Sequence, residues 1–183
     1  MSSIDLVVLG IVLEKPQSAY DIQKDVEYHN LSKWTKISVS SIYRKVLQLK
    51  EKGYLESDIV KGDKFADKAI YSITEKGKEY FEKLMFTYAS QDVPLLFDFN
   101  VVIANLNKVS SNEAIKLIAQ LRESIKIESG ILEVVVELGL NYACLGEYAT
   151  IPLVGRTIFE QQKLLYNSLL QWLDSFEAQM SKE

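Results

Sequence analysis

The sequence predicts a mainly α-helical chain with one small β-hairpin, divided into a first unit over residues 1–90 and a helical second unit over residues 91–183. Three observations carry this. Three prolines and eight glycines in 183 residues leave few forced breaks, so helices should be long. Helical spacing of apolar residues is interrupted once, where the strand candidates Tyr54 to Val60 and Ala69 to Ile73 flank the turn-prone Lys61-Gly62-Asp63-Lys64. Charge is unevenly split: residues 1–91 carry 14 Lys and Arg against 13 acids, and residues 92–183 carry 7 against 12.

Composition narrows the function. Apolar residues make up 48% of the chain, too many for a disordered protein, and the net charge of -4 excludes a bulk-basic nucleic-acid coat. One cysteine, Cys144, and one histidine, His29, exclude an internal disulfide, a Cys-rich zinc site and a multi-histidine metal centre. The roles of those two residues are not legible. The longest apolar run, Leu6 to Leu13, falls far short of the ~20 residues that span a bilayer. No basic segment precedes it, and the reading is a cytoplasmic protein without a membrane partner.

Along the chain, Ser3 is expected to cap an apolar helix from Ile4 to Leu13, which should be a buried spine. After the break at Pro16, Ser18-Ala19-Tyr20-Asp21 reads as a capping box opening a second helix, with Ile22 and Val26 on one face. Tyr20 is expected to pack this helix onto the third. Residues 30–37 read as a loop. A third helix from about Val39 to Lys52 carries the core stripe Ile42, Val46 and Leu49, and Gly53 should end it in the left-handed conformation. The hairpin follows, and Thr74 caps a fourth helix from Glu75 to about Tyr88. Helix, helix, helix, hairpin, helix is the element order of a winged helix-turn-helix.

Charge placement points to nucleic acid. From Lys33 to Lys52 there are six cations (Lys33, Lys36, Arg44, Lys45, Lys50 and Lys52) and one anion, Glu51. This local basic stripe has the form expected where phosphates dock, although a lysine-rich helix face can also be simply solvated. Ser40 and Ser41 are small enough to let the helix start approach a DNA backbone or base edge. Arg44 and Lys45 lie off the core stripe, so removing their charge should spare the fold. The hairpin is the weaker element: residues 56–68 hold three lysines against four acids, so contacts there must come from Lys61, Lys64 or Lys68 singly.

Three segments carry a family resemblance. Pro16-Gln17-Ser18-Ala19-Tyr20-Asp21-Ile22, Ser41-Ile42-Tyr43 with Val46, Leu49 and Lys52-Gly53-Tyr54-Leu55, and Tyr71-Ser72-Ile73-Thr74-Glu75-Lys76-Gly77-Lys78 together resemble the PadR family of transcriptional regulators over about residues 4–83. Ala19 replaces the family's usual glycine, Ser40 stands where glycine is frequent, and Arg44 replaces a frequent proline. The resemblance implies that the third helix enters the major groove with Tyr43 at the DNA face; the residues alone equally allow Tyr43 in the core.

The second unit reads as helical. Leu95 to Leu106 is apolar and aromatic, and Ser110-Ser111-Asn112-Glu113 is a second capping box opening a helix that continues through the β-branched run Ile131 to Val136. Asn141 to Pro152 reads as a bend. A last helix from about Val154 to Met180 carries Ile158, Leu165, Leu169, Trp172 and Phe176 on one stripe, widened by Leu164 and Leu173. The resemblance implies that C-terminal helices of two subunits interlock, which assigns Leu165, Leu169, Trp172 and Phe176 to a homodimer interface; an intramolecular core is the other use of the same stripe. A two-fold dimer also doubles the contact made with a palindromic site. The resemblance further implies an effector site between the two units, with Trp34, Phe97, Phe99, Tyr148 and Trp172 as aromatic candidates that could equally fill core.

No Gly-rich phosphate loop, nucleophile elbow or Cys/His cluster supports an enzyme, and neither cofactor nor metal is expected. Glu133 and Glu137 read as a solvated pair. The reading is a dimeric regulator, a repressor by family habit, that binds a double-stranded DNA operator and is adjusted by a small aromatic or hydrophobic ligand. A ligand-independent regulator or activator, and a protein-binding adaptor built on the same winged helix, use the same residues.

Overall fold

The computed structural model describes residues 2–28, 31, 35, 37–61, 67–142 and 153–180. It divides into two compact units, Met1–Pro94 and Leu95–Glu183.

In the first unit, α1 (Ser3–Glu14) is the spine its all-round apolar sequence demands, with Val8, Leu9 and Val12 buried. The expected Ser3 cap is corrected by one residue. Ser2 holds the cap position and makes no side-chain cap bond. Helix α2 (Ala19–Tyr28) opens on the Ser18 box: the Ser18 hydroxyl accepts from the Asp21 amide at 3.2 Å and donates to the Asp21 carboxylate at 2.8 Å. Ile22 and Val26 are fully buried, whereas Tyr20 lies on the opposite face and is open to solvent beneath the Lys24 ammonium. It therefore does not pack α2 onto the third helix. Small, buried Ala19 occupies the inward position.

A single 3-10 turn, Val39–Ser41, leads into α3 (Ile42–Glu51), which buries Ile42, Val46 and Leu49. Gly53 then takes a φ of 74°, its amide bonding the Lys50 carbonyl at 2.8 Å while the Tyr54 amide bonds the Leu49 carbonyl at 2.9 Å. This is the left-handed helix stop expected of a glycine. Strands β1 (Leu55–Val60) and β2 (Lys68–Ile73) pair antiparallel, Leu55 opposite Ile73 and Val60 opposite Lys68. On its other edge β2 exchanges two bonds with Gln17, through Tyr71, at 3.1 and 2.8 Å. The hairpin is thereby stitched to the segment that starts α2.

The Tyr54 carbonyl marks the tightest point. It accepts from the Thr74 amide at 3.1 Å and the Thr74 hydroxyl at 3.2 Å, and that hydroxyl accepts from the Gly77 amide at 3.0 Å, capping α4 (Glu75–Ala89). Gly77 is buried against this carbonyl, and a Cβ there would strike it and lie 2.8 Å from the Ile73 side chain. Tyr80, one turn along, stacks on Tyr54 with ring centroids 4.3 Å apart.

One charge sits inside this core. Asp5 on α1 is 4% exposed. Its Oδ1 lies 2.8 Å from the Lys45 ammonium on α3, and its Oδ2 accepts from the Tyr80 hydroxyl of α4 at 3.2 Å. Burial, then the facing carboxylate, push Tyr80 up to about 12, so it stays a donor at neutral pH. Lys45 is thus not the free surface cation expected from its position off the stripe. It flanks the stripe closely enough for a four-carbon stem to reach inward.

The second unit departs from expectation at its start. Leu95 to Leu106 is not one helix but an extended stretch, a four-residue helix α5 (Asn100–Ile103) and a 3-10 turn, Leu106–Lys108. Aromatic Phe97 and Phe99, which lose side-chain freedom in a helix and instead stack on each other and on Trp172, favour the turns found there. The Ser110 box is complete: the Glu113 carboxylate accepts from the Ser110 amide at 3.1 Å and the Glu113 amide donates to the Ser110 hydroxyl at 3.3 Å. It opens α6 (Ser111–Tyr142), which carries the β-branched run as helix. The expected bend lies mostly outside the described residues. Helix α7 (Leu153–Met180) runs antiparallel to α6; Arg122 forks between Asp174 at 2.6 Å and Glu177 at 2.7 Å, and Glu133 meets Lys163 at 3.3 Å. Ala114, Ile118 and Ile125 pack with Leu106 and the fully buried Leu173.

Gly77→Ala should lower the stability of the first unit by about 2–3 kcal/mol, because the Tyr54 carbonyl is fixed backbone that cannot yield; an unchanged urea midpoint would contradict that close approach. Lys45→Ala should cost about 3 kcal/mol, the low end for breaking a buried pair, since its side chain keeps 19% exposure. Arg44→Ala should stay within about 0.5 kcal/mol. Equal midpoints for these two variants in denaturant melts would show that Asp5 does not depend on Lys45.

Candidate nucleic-acid interface

Helix α3 is held from beneath by its stripe and at its end by Gly53, which fixes what it presents outward. That face carries Tyr43, 57% exposed, with Arg44, Leu47 and Lys50. Of the two uses left open for Tyr43, the structure supplies the exposed one: it stands beside β2, where burial and then Tyr43 itself push the Tyr71 hydroxyl above its ordinary value. Ser40 is exposed at the 3-10 turn, its hydroxyl 2.8 Å from that of Ser38, and Ser41 is half-buried. Small hydroxyls, a phenol and a guanidinium at one helix start suit phosphate oxygens and base edges alike. Among the described residues Arg44 has no ion pair, whereas Lys45 is turned in to Asp5.

The hairpin offers less positive charge than a count of its lysines suggests. Lys61 is exposed at the end of β1. Lys68 binds the Asp21 carboxylate at 2.7 Å, and this ammonium is the largest influence holding Asp21 below the ordinary carboxylate value. Lys33, Trp34, Lys36, Lys64 and Tyr148 lie outside the described residues, as do His29 and Cys144.

Within the second unit, three of the aromatic candidates come together. Phe97 stacks on Phe99 at 5.2 Å, Phe99 on Trp172 at 6.0 Å, and Trp172 on Phe176 at 5.9 Å. Leu169 and Phe176 also pack against the core of their own chain, while Leu165 and Trp172 are each 37% exposed. Three large apolar residues went unnoticed as a set: Ile127, Ile131 and Val134 share the face of α6 turned away from α7, and all are exposed. Their i, i+4, i+7 spacing was the available signal, masked by the helix-or-strand ambiguity of the run Ile131 to Val136 that holds two of them. Leu47 was also missed as an outward apolar group on α3, because a single leucine between Val46 and Leu49 of the apolar stripe reads as core.

Residues 8–83 match the transcriptional regulator PadR-like family. The whole chain is similar in fold to Bacillus subtilis PadR solved with operator DNA, with 17% identity, 98% of this chain and 99% of that one covered, and a TM-score of 0.78. The same protein solved with p-coumaric acid gives 18% identity, 98% and 96% coverage and a TM-score of 0.77. The Vibrio cholerae virulence activator AphA gives 16% identity, 98% coverage of both chains and a TM-score of 0.65. A search of curated proteins finds no match in sequence. No described helix is long and apolar enough to cross a membrane. The resemblance read from the three sequence segments is thus matched: residues 8–83 match the PadR-like family, in a chain similar in fold to the PadR regulators.

Proposed function

We propose that this chain is a cytoplasmic, non-enzymatic transcriptional regulator that binds a palindromic DNA operator as a homodimer and represses from it. The observation that carries the reading is the outward face of α3 with the turn before it, where Tyr43 and Arg44 on the helix and Ser40 on the turn are open to solvent while the opposite face of the helix is committed to core. A relative of the same fold was solved on operator DNA, which supports a shared use of that face. Lys61 adds one hairpin contact, and Ser41 lines the approach. Lys33, Lys36 and Lys64 complete the phosphate-binding set on the strength of the sequence.

Dimerisation is supported by apolar surface that one chain leaves open. Leu165 and Trp172 on α7, with Ile127, Ile131 and Val134 on α6, are the kind of large side chains that obligate interfaces desolvate. The effector reading rests on the Phe97–Phe99–Trp172–Phe176 stack, a row of flat apolar faces suited to a planar phenolic compound. A relative was solved with p-coumaric acid. The same stack is what simple core filling would give, so a ligand-independent regulator is the second reading.

Selection of bound duplexes from random fragments should enrich one palindromic sequence, and Arg44→Ala should lower the magnitude of the log–log salt slope on it by about 0.9 per lost phosphate contact. Unchanged affinity and slope in a folded variant would move α3 off the DNA. For the assembly, Ile131→Glu with Leu165→Glu should give monomers by light scattering, since neither residue belongs to the buried seam; a stable dimer carrying both changes places the interface elsewhere. With Trp34→Phe leaving Trp172 as sole reporter, a phenolic acid should quench fluorescence and release DNA at similar concentrations. Release without quenching takes the effector away from Trp172, and neither effect across a broad aromatic panel favours the ligand-independent regulator.

A further inference from the structure

The basic stripe that marks α3 in the sequence is not all available to phosphate, and the reason is the buried carboxylate beneath it. Asp5 is nine-tenths buried or more, with its two oxygens facing different partners: the Lys45 ammonium at 2.8 Å and the Tyr80 hydroxyl at 3.2 Å. Tyr80 is itself fixed by its stack on Tyr54 at 4.3 Å, so Asp5 cannot swing outward without breaking two contacts. Lys45 and Arg44 are adjacent on the helix, yet one is turned in and the other is open.

We propose that Asp5 is a positioning and specificity-determining residue: it withholds the Lys45 ammonium from DNA phosphate, so that α3 meets DNA through Arg44, Lys50 and its polar and aromatic side chains. The inference rests on the DNA-binding reading above. Its physical basis is a competition between two anions for one ammonium. A phosphate at the surface offers an attraction screened by salt and water, whereas Asp5 holds Lys45 where screening is weak. The contrast with Lys68 and Asp21 is instructive. There the side chains are 49% and 42% exposed, and such a pair exchanges readily with an approaching phosphate. At Asp5 and Lys45 the exposures are 5% and 19%.

The consequence concerns selectivity. Phosphate contacts strengthen binding to every duplex equally, while contacts to base edges separate one sequence from another. Sequestering this α3 lysine removes one sequence-blind contribution and leaves a larger share of the binding to the discriminating ones. Asp5 touches no DNA in this account; it acts through Lys45.

The test is the salt dependence of binding to operator and to random duplex for the full chain, Asp5→Asn, and the double variant Asp5→Asn with Lys45→Met. Asparagine still accepts from Tyr80, and the double variant removes both charges together, so neither leaves an uncompensated buried carboxylate. If Asp5 withholds Lys45, Asp5→Asn should steepen the log–log slope by about 0.9 and tighten binding to random duplex more than to operator, relative to the unaltered chain. The double variant should return to the unaltered slope. A purely structural role for the pair would change thermal stability without adding a phosphate contact. A double variant whose slope is shallower than that of the unaltered chain by about 0.9 would show that Lys45 already grips phosphate, and would overturn the proposal while leaving DNA binding intact. An unchanged slope in Asp5→Asn would overturn it equally. No salt-dependent binding by the unaltered chain would sink the DNA-binding reading itself, and this inference with it.

Discussion

Burying a carboxylate is costly unless each oxygen finds a partner, and that demand organises the first unit. Asp5 recruits Lys45 from α3 and Tyr80 from α4, so one side chain on α1 ties three helices together. Apolar packing of Val8, Leu9, Val12, Ile42, Val46 and Leu49 would allow α3 to slide or roll by small amounts at little cost. A buried carboxylate held by an ion pair at 2.8 Å on one oxygen and a hydrogen bond on the other tolerates less of it. The Lys45 contact thus adds a directional constraint to the apolar seat of α3, the helix that presents Tyr43 and Arg44 outward. At the far end of the helix Gly53 and the Tyr54 carbonyl impose a second fixed point, because Thr74 and Gly77 crowd that oxygen from the next element.

What could be read from the sequence was local. Gly53 as a helix stop, Thr74 as a cap, and the Ser18 and Ser110 boxes each depend on residues within four positions of one another, and the structure realises all of them. The two hairpin strands and the stripe on α3 were legible from local pattern as well, whereas the register Leu55 opposite Ile73 came only with the fold. Asp5 was not, because a single acid in an apolar run carries no signal of its partners, and these lie on elements far along the chain. Lys45 was misjudged in consequence: a wheel shows only that it is off the stripe, not that an anion waits under its edge. Leu95 to Leu106 failed differently. Its composition suits a helix, but aromatic crowding after Pro94 is resolved by short turns that no period reveals.

The candidate interface was partly legible. Local excess of cations singled out α3, yet net charge overstated what that helix displays. Arg44 is displayed, Lys45 is withheld, and in the hairpin Lys68 is engaged by Asp21. Charge counts along a sequence cannot separate a displayed cation from an engaged one. Geometry can, and it turns a uniform basic stripe into a surface on which Arg44 and Lys50 are displayed among uncharged groups while Lys45 is turned away.

The second unit poses the complementary problem, a surplus of apolar surface in place of a buried charge. Helices α6 and α7 share one antiparallel seam, closed by Ala114, Ile118, Ile125 and Leu173 and clamped by the Arg122 fork. Two helices in contact can bury only one face each, so a stripe wider than that seam must end in water or against something else. Ile127, Ile131 and Val134 lie on the far side of α6 from the seam, and Leu165 and Trp172 lie at its rim on α7. Exposed leucines scattered singly would need no explanation. Three at helical spacing on one helix, with two more at the rim of its neighbour, are a pattern that burial would select. The same width of stripe that made α7 look like an interface in the sequence is therefore what the fold leaves unspent: Leu173 and Leu169 are consumed inside the chain, and the remainder is available to a second copy.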